Sequence, residues 1–208
     1  PTREPIDPVR YLTNNSSGKM ATAIAQELAF RGASVTVVSG PAAVKPKQAD
    51  IQVIDVVTAE EMYQATIAQC EQGADIVVLC AAVADYTPAQ KSSVKMKKKG
   101  DNLTLELLPT KDIAACVGKI KRDGDILVGF ALETDNEFDN AQDKLARKNL
   151  DMIVLNSLRD EGAGFAGDTN KVNIFFKNGE RSSYPLKSKQ SVAIDIVDSI
   201  EGLLGDVK

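Results

Sequence analysis

The chain has 208 residues, of which 43% are hydrophobic and 26% are charged, so it is long and apolar enough to bury a core. Its 25 Lys and Arg residues against 29 Asp and Glu residues give a net charge of −4, which argues against a general nucleic-acid binder. The absence of histidine excludes a His general base, a Ser-His-Asp or Cys-His relay and a His-ligated zinc site. The 3 cysteines are widely spaced without a CxxC motif, so a reducing cytoplasm is the simplest setting. The apolar runs are too short to cross a bilayer, and no membrane partner is expected.

Helix and strand patterns alternate along the first part of the chain. The apolar spacing over residues 19–31 predicts an amphipathic helix, which Gly32 would end. Short β-branched runs then predict two strands, at residues 35–38 and 51–57. A helix over residues 58–72 should open with the capping box Thr-Ala-Glu-Glu. The continuous apolar run 76–82 is typical of a strand in a parallel sheet that is covered on both faces.

The alternation fails between residues 85 and 101, where lysines are concentrated, and then resumes. The later predictions, in order, are a strand at 103–108, a helix at 112–121, a strand at 126–131, a helix ending near Asn149, a strand at 152–156, a glycine-rich loop at 157–170 and a final helix at 189–204. Asn178-Gly179 predicts a β-hairpin between the runs 172–176 and 182–186. The predicted fold class is therefore α/β: a Rossmann-like open, mostly parallel sheet with helices on both faces and a C-terminal β-hairpin.

A run of small and polar residues, TNNSSGKM at 13–20, stands immediately before the first predicted helix. Small residues let backbone N–H groups approach an anion, and the positive end of a helix favours negative charge. The run is neither a Walker A loop nor a GxGxxG motif. Phosphate binding and a plain helix cap both explain it, and both interpretations stay open.

Three further features indicate an anion site, each beside a plainer explanation. Asp85 follows an apolar strand at the edge where open α/β sheets bind ligands, although it could be an ordinary turn residue. The lysine-rich segment, defined here as residues 91–99, could close over phosphates in that crevice or be a solvated loop. Lys144 and Lys148 lie on one face of a helix, where they could hold a triphosphate or only balance the helix dipole.

Six motifs occur together in one order along the chain. They are PTREPIDPVRY at 1–11, NNSSGKM at 14–20, AAVADY at 81–86, KMKK at 95–98, GFALET at 129–134 and KNLD at 148–151. Together they resemble the phosphopantothenoylcysteine synthetase domain of the bacterial bifunctional coenzyme A biosynthesis flavoprotein, a phosphopantothenate–cysteine ligase. The resemblance implies one synthetase domain over residues 1–208, C-terminal in a longer bifunctional chain. The decarboxylase domain of that chain, with its FMN, is absent here, and so is the apolar strand that usually precedes the first motif.

The resemblance implies a ligase that joins 4′-phosphopantothenate to L-cysteine with consumption of CTP. The products would be 4′-phosphopantothenoylcysteine, CMP and pyrophosphate, formed through an acyl-cytidylate. Mg²⁺ would accompany the triphosphate, and the enzyme would be a cytoplasmic homodimer, with Phe175-Phe176 as a candidate contact. Such chemistry suits a chain without histidine, because two anions must meet and positioning matters more than a covalent nucleophile.

The resemblance also implies roles for individual residues. Lys95 would act in acyl-cytidylate formation, Asn14 would donate to the oxyanion of the second step, and Arg10 would lie near the acyl intermediate. With Ser17 and Gly18 added from the helix start, the candidate nucleotide-binding residues are Ser17, Gly18, Cys80, Ala81, Ala82, Asp85, Lys95, Lys111, Asp112, Ile113, Ala114, Phe130, Lys144 and Lys148. The alternatives are a non-catalytic nucleotide-binding module and an NAD(P)-dependent reductase, for which a GxGxxG motif is lacking.

Overall fold

The computed structural model describes residues 1–98, 100, 102–133, 137–157 and 167–205. Lys99 of the lysine-rich segment and residues 158–166 of the predicted glycine-rich loop lie outside them. The helices are α1 (Lys19–Phe30), α2 (Ala59–Glu71), α3 (Ile113–Ile120), α4 (Glu137–Arg147) and α5 (Lys189–Gly205). The strands are β1 (Arg3–Pro5), β2 (Tyr11–Thr13), β3 (Val35–Ser39), β4 (Ile51–Asp55), β5 (Ile76–Leu79), β6 (Tyr86–Pro88), β7 (Leu107–Pro109), β8 (Ile126–Glu133), β9 (Met152–Ser157), β10 (Thr169–Asn170), β11 (Val172–Phe176), β12 (Arg181–Ser183) and β13 (Lys187–Ser188).

The central sheet has five strands in the order β12-β11-β9-β8-β5. Strands β5, β8 and β9 run parallel, and the hairpin β11–β12 joins β9 antiparallel. A second parallel pair, β3 with β4, forms its own two-stranded sheet. The mostly parallel α/β class with a C-terminal hairpin is thereby confirmed. Three short antiparallel pairs, β1–β2, β6–β7 and β10–β13, complete the described sheets.

Helices cover both faces of the central sheet. Val128, Val154 and Ile174 are fully buried on the face that packs against α1 and α5. Leu127 and Ile153, their neighbours in sequence, point to the other face and pack against α2, α3 and α4. Because side chains alternate across a strand, burial on both faces requires the continuous apolar runs that the sequence shows here.

The predicted helix ends are confirmed in atomic detail. The Thr58 hydroxyl accepts from the Glu61 N–H at 3.2 Å, and the Glu61 carboxylate accepts from the Thr58 N–H at 3.2 Å, which is the predicted capping box. Helix α1 ends at Phe30, and Gly32 follows with its N–H donating to the Ala29 carbonyl at 2.9 Å. The left-handed φ of Gly32, 90°, lets the next N–H, that of Ala33, donate to the Leu28 carbonyl at 3.1 Å.

One prediction is wrong. The strand expected over 103–108 is reduced to β7, and Leu103 is exposed, because the alternating run pairs only with the short β6. Phe175 is 5% exposed and packs edge-to-face on Phe138, whereas Phe176 is half-buried, so a dimer contact at this hairpin would depend on Phe176 and stays a prediction. Among the described helices, none has both the length and the apolar character needed to span a membrane.

Candidate active site

Asn14 lies against the main chain that follows β5, at the carboxyl edge of the parallel sheet. Its Nδ2 donates to the Val83 carbonyl at 2.8 Å and lies 3.5 Å from the Ala82 carbonyl. The side-chain amide carries two protons, and the short bond uses one of them. The second is held only by the long contact, so Asn14 can donate to a ligand above residues 81–83.

Thr110 joins the chain after β7 to the same strand end. Its N–H donates to the Asp85 carbonyl at 2.9 Å, and its hydroxyl donates to the Ala84 carbonyl at 2.7 Å. The Ala84 N–H in turn donates to the Thr2 hydroxyl at 3.0 Å. These bonds fix the backbone of residues 83–85 and leave the Asp85 side chain exposed at the edge.

The turn that opens α3 carries two of the predicted nucleotide-binding side chains in different directions. Asp112 accepts the Ala115 N–H at 3.0 Å as the helix cap, and Lys148 Nζ lies 3.0 Å from its carboxylate. Burial alone would raise the pKa of Asp112, but the Ala115 N–H and the Lys148 ammonium together hold it below its ordinary value. Lys111 instead faces α2, where it pairs with Glu60 at 2.7 Å, and Glu60 raises its pKa.

The remaining residues of this region divide into backbone and side-chain candidates. Ile113 is buried in the core, so only its backbone N–H at the start of α3 can reach a ligand. Lys144, half-buried, lies one turn before Lys148 along α4. Phe130 on β8 is half-buried against the core that α1 and α5 cover.

The start of α1 provides a second group of candidate ligand donors. Gly18 caps the helix with a left-handed backbone, φ 82°, and the Ser17 hydroxyl accepts the Lys19 N–H in a long contact of 3.5 Å. The first turn contains no acidic residue, although its Lys19 pairs with Asp168 at 2.6 Å from outside the helix. The Ser17 carbonyl accepts the Val44 N–H at 2.9 Å, which ties this turn to the segment after β3.

Arg10 and Lys95 are brought together through the backbone of Met96. Arg10 Nη2 donates to the Met96 carbonyl at 2.9 Å, and Asp7 accepts the Met96 N–H at 3.1 Å. Arg10 Nε also donates to Asp7 at 3.0 Å, and this bond holds the pKa of the buried Asp7 carboxyl well below its usual range. Lys95 is exposed directly before the residue that both side chains hold.

Cys80 lies at the end of β5 but has the wrong chemistry for a nucleophile. Burial raises the pKa of its thiol to about 12, despite the positive charge of Lys189 nearby. The Cys70 thiol also has a raised pKa because of burial. The raised pKa values argue against either thiol as a nucleophile, and only the backbone of Cys80 remains a candidate ligand.

The candidate site residues therefore fall into three bonded groups: Asn14 with residues 82–85 and Thr110, Arg10 with the lysine-rich segment, and Asp112 with Lys148. The sequence interpretation missed Asp7 and Thr110. The spacing of Asp7 and Arg10, three residues apart, is a signal that could have found the first. Thr110 contacts Ala84 across 26 positions, and no local pattern marks such a contact.

The described residues contain no cluster of three or more His, Cys, Asp or Glu side chains that could hold a metal ion. Mg²⁺ commonly binds through substrate phosphates and waters with only one or two protein carboxylates. Asp85, exposed at the strand end, is a carboxylate of that kind. The residues present thus fit an ion carried by a triphosphate better than a dedicated metal cage.

Comparison with known proteins identifies relatives of this chain. A family model for the DNA/pantothenate metabolism flavoprotein C-terminal domain matches residues 1–203. A cysteine/cysteine sulfinic acid decarboxylase from an unknown prokaryotic organism is 50% identical over 96% of this chain and 55% of its own length. The coenzyme A biosynthesis bifunctional protein CoaBC of Haemophilus influenzae is 44% identical over 96% of this chain and 49% of its own length. The chain thus spans about half the length of the curated relatives it matches.

Two solved structures share the fold of this chain. The C-terminal domain of a coenzyme A biosynthesis bifunctional protein CoaBC superposes with a TM-score of 0.83 and 41% identity, over 99% of this chain and 92% of that one. A Cab2 mutant in complex with phosphopantothenate-cysteine superposes with a TM-score of 0.74 over 99% of this chain and 85% of that one. At 14% identity, the second likeness concerns the fold alone.

Proposed function

The chain belongs to the family of DNA/pantothenate metabolism flavoprotein C-terminal domains, and from that premise we propose that it joins 4′-phosphopantothenate to L-cysteine with consumption of CTP. The products are 4′-phosphopantothenoylcysteine, CMP and pyrophosphate. Its place in coenzyme A biosynthesis is supported by the 44% identical CoaBC proteins and by the 41% identical C-terminal domain structure. The observation that best supports this chemistry is the hydrogen bond from Asn14 Nδ2 to the Val83 carbonyl, in the segment after β5, at 2.8 Å.

In the first step, an oxygen of the phosphopantothenate carboxylate attacks the α-phosphorus of CTP. A new carboxyl–phosphorus bond forms, the bond to the bridging oxygen of the β-phosphate breaks, and pyrophosphate leaves. The start of α1 and the exposed Lys95 supply positive charge without a competing acidic residue in the first helical turn. Because both reactants are anions, this charge and the fixed orientation lower the barrier to their approach.

In the second step, the amine of cysteine attacks the acyl carbon and CMP leaves. Negative charge develops on the acyl oxygen, and the second Nδ2 proton of Asn14 is the donor we assign to it. Loss of one such donor typically costs about 10²–10³-fold in rate. Arg10 is held by Asp7 and Met96 beside the lysine-rich segment, and we assign its guanidinium to the anionic acyl intermediate.

We assign the nucleotide to the surface between the start of α1 and the turn at 110–114. Ser17, Gly18 and the backbone at Cys80, Ala81 and Ala82 would line it, together with the N–H groups that open α3. Lys144 and Lys148 would meet the phosphates, and Mg²⁺ would arrive on the triphosphate with Asp85 as its candidate protein carboxylate. Lys111 contributes through its backbone in this arrangement, because its ammonium pairs with Glu60.

We also propose a cytoplasmic homodimer. The hairpins β1–β2 and β6–β7 expose large apolar side chains together, and their surface is the candidate contact: Val9, Tyr11, Tyr86, Leu107 and Leu108 are 40–59% exposed. Free thiols at all 3 cysteines fit a reducing compartment. Light scattering should give twice the monomer mass for the wild type, and the monomer mass for Tyr86→Glu.

The division of the full protein into this domain and an FMN-binding decarboxylase stays a prediction.

Two substitutions test the assigned steps, each with a neighbouring control. Lys95→Gln should abolish pyrophosphate release in the first turnover, whereas Lys91→Gln should not. Asn14→Asp should release pyrophosphate and accumulate the acyl-cytidylate, whereas Asn15→Asp should complete the reaction. Normal pyrophosphate release by Lys95→Gln, or normal product formation by Asn14→Asp, would remove that residue from its step.

The same assay separates the other candidate functions. A non-catalytic nucleotide-binding module would bind CTP in a calorimeter and release no pyrophosphate. A reductase would oxidise NAD(P)H and ignore CTP. One 50% identical relative is named a cysteine/cysteine sulfinic acid decarboxylase, and an activity of that kind would release carbon dioxide from the amino acid alone.

A further inference from the structure

Asp7 is a buried carboxylate whose hydrogen bonds join two separate parts of the site. Its Oδ1 accepts the N–H groups of Val9 at 2.9 Å and Arg10 at 2.8 Å, which closes the turn between β1 and β2. Its Oδ2 accepts from Arg10 Nε at 3.0 Å and from the Met96 N–H at 3.1 Å. The Asp7 side chain is fully buried, so these bonds are shielded from water, in which they would be weak.

The two side chains hold both polar groups of one residue in the lysine-rich segment. Asp7 takes the N–H of Met96, and Arg10 Nη2 donates to its carbonyl at 2.9 Å. A third bond, from the Ser92 N–H to the Ile6 carbonyl at 3.0 Å, attaches the same segment to the same turn. An otherwise exposed run of lysines is thus fixed to the β1–β2 turn at two points.

Lys95 directly precedes the fixed residue. Consecutive Cα atoms are about 3.8 Å apart, so holding Met96 restricts the Lys95 backbone to a small volume. Lys95 itself forms no ion pair among the described residues, and its ammonium is exposed. Its position therefore depends on the main-chain bonds at Met96 rather than on its own side chain.

We propose that Asp7 is a positioning residue for the first half-reaction: together with Arg10 it fixes the lysine-rich segment so that Lys95 meets the reacting phosphate. This inference rests on the proposed function, because Lys95 has its role there. It differs from a role in which Asp7 only stabilises the turn, since it requires pyrophosphate release to slow while nucleotide binding remains unchanged. Misplacement of a reacting group by about 1 Å can cost about 10²-fold in rate.

The variant Asp7→Asn is nearly isosteric and keeps an oxygen for the backbone N–H groups of Val9 and Arg10. It replaces Oδ2 with an NH2 group that cannot accept from the Met96 N–H or from the Arg10 guanidinium. Asp125→Asn is the matched control, because Asp125 also binds an arginine three residues away, Arg122, through its backbone N–H at 3.0 Å and its guanidinium at 2.7 Å. That pair lies before β8, at the opposite edge of the central sheet from the strand end at Val83.

Three measurements on the full chain test the proposal. In Asp7→Asn, pyrophosphate release without cysteine should slow by about 10- to 100-fold, the effect expected for a lost charge-assisted hydrogen bond. CTP affinity by calorimetry should stay within about threefold of wild type. Trypsin should cut after Lys91, Lys95 or Lys97 about tenfold faster than in wild type. Asp125→Asn should match wild type throughout.

A measurement on the wild-type protein tests the proposal even if the Asp7→Asn variant does not fold. Amide hydrogen exchange should be about tenfold slower at Met96 than at Lys95 and Lys97, whose N–H groups find no acceptor within the described chain. Equal exchange at the three residues would overturn the proposal, as would Asp7→Asn with a wild-type rate of pyrophosphate release. If wild type releases no pyrophosphate at all, the proposed function fails, and the exchange and proteolysis results still decide whether Asp7 fixes the segment.

Discussion

Gly18 and Gly32 lie at the two ends of α1 and offer a matched test of the surface that we assign to the nucleotide. Both have left-handed backbones, with φ of 82° and 90°. A Cβ on Gly18 would lie 2.5 Å from the Val44 carbonyl oxygen and 2.8 Å from the Ala42 Cβ, whereas a Cβ on Gly32 would meet nothing within 4 Å. Alanine should therefore cause the same backbone strain at both positions, and only Gly18→Ala should also displace its neighbours.

The expected loss in the free energy of unfolding has two contributions, the backbone strain and the steric overlap. Left-handed alanine costs about 1–2 kcal/mol, which is the whole effect expected for Gly32→Ala. The contact with Val44 adds an overpacking cost of about 1–3 kcal/mol, so Gly18→Ala should lower the free energy of unfolding by about 2–5 kcal/mol. Because the contact is with backbone, the start of α1 must shift, and Ser17 and Gly18, which we assign to the nucleotide, shift with it. CTP affinity should then fall about tenfold, the effect of one weakened charge-assisted hydrogen bond.

Urea denaturation followed by circular dichroism gives the unfolding free energies, and calorimetry with CTP gives the affinities. Gly32→Ala should bind CTP within about twofold of wild type, since its backbone cost is local to the far end of the helix. Equal stability losses in the two variants would refute the steric reasoning. Wild-type CTP affinity in Gly18→Ala, with the expected loss of stability, would refute the placement of the nucleotide at the start of α1.

Three further outcomes are expected. Lys148→Gln should weaken CTP binding about tenfold by calorimetry, whereas Lys119→Gln, on the exposed end of α3, should not. Asp112→Ala should lower the free energy of unfolding by about 1 kcal/mol at pH 7 through loss of the helix cap. Because the pKa of Asp112 is lowered in the folded state, that difference should be complete above the unfolded pKa of about 4 and should vanish as the pH falls through the folded value. Iodoacetamide at pH 8 should leave Cys80 unlabelled in the native protein, by mass spectrometry, since burial raises its pKa to about 12.

The regular part of the fold could be predicted because its signals are local. Helix α2 begins at the capping box that Thr58 and Glu61 specify, and β8 and β9 follow from apolar runs that need covering on both faces. The short pairs β1–β2 and β6–β7 could not be predicted. Their strands have three residues each, three of the four contain or end in proline, and their pairing depends on partners far along the chain.

The candidate site, too, could be predicted from the sequence only in part. Sequence motifs identified Asn14, Arg10 and Lys95 individually, and the resemblance supplied their roles. What the motifs could not supply is the bonding of Asn14 to Val83 across 69 positions and of Arg10 to Met96 across 86. Such contacts arise when strand ends and hairpins meet at one edge of the sheet, and no local periodicity encodes them.

Oxygen transfer tests most directly whether the carboxylate is activated by the nucleotide. Phosphopantothenate labelled with oxygen-18 in its carboxylate is incubated with CTP, cysteine and the enzyme, and the products are separated and weighed by mass spectrometry. Attack on the α-phosphorus predicts one labelled oxygen in CMP, none in pyrophosphate, and one retained in the new amide. Label in inorganic phosphate with release of CDP, or product formed with unlabelled CMP, would contradict the acyl-cytidylate.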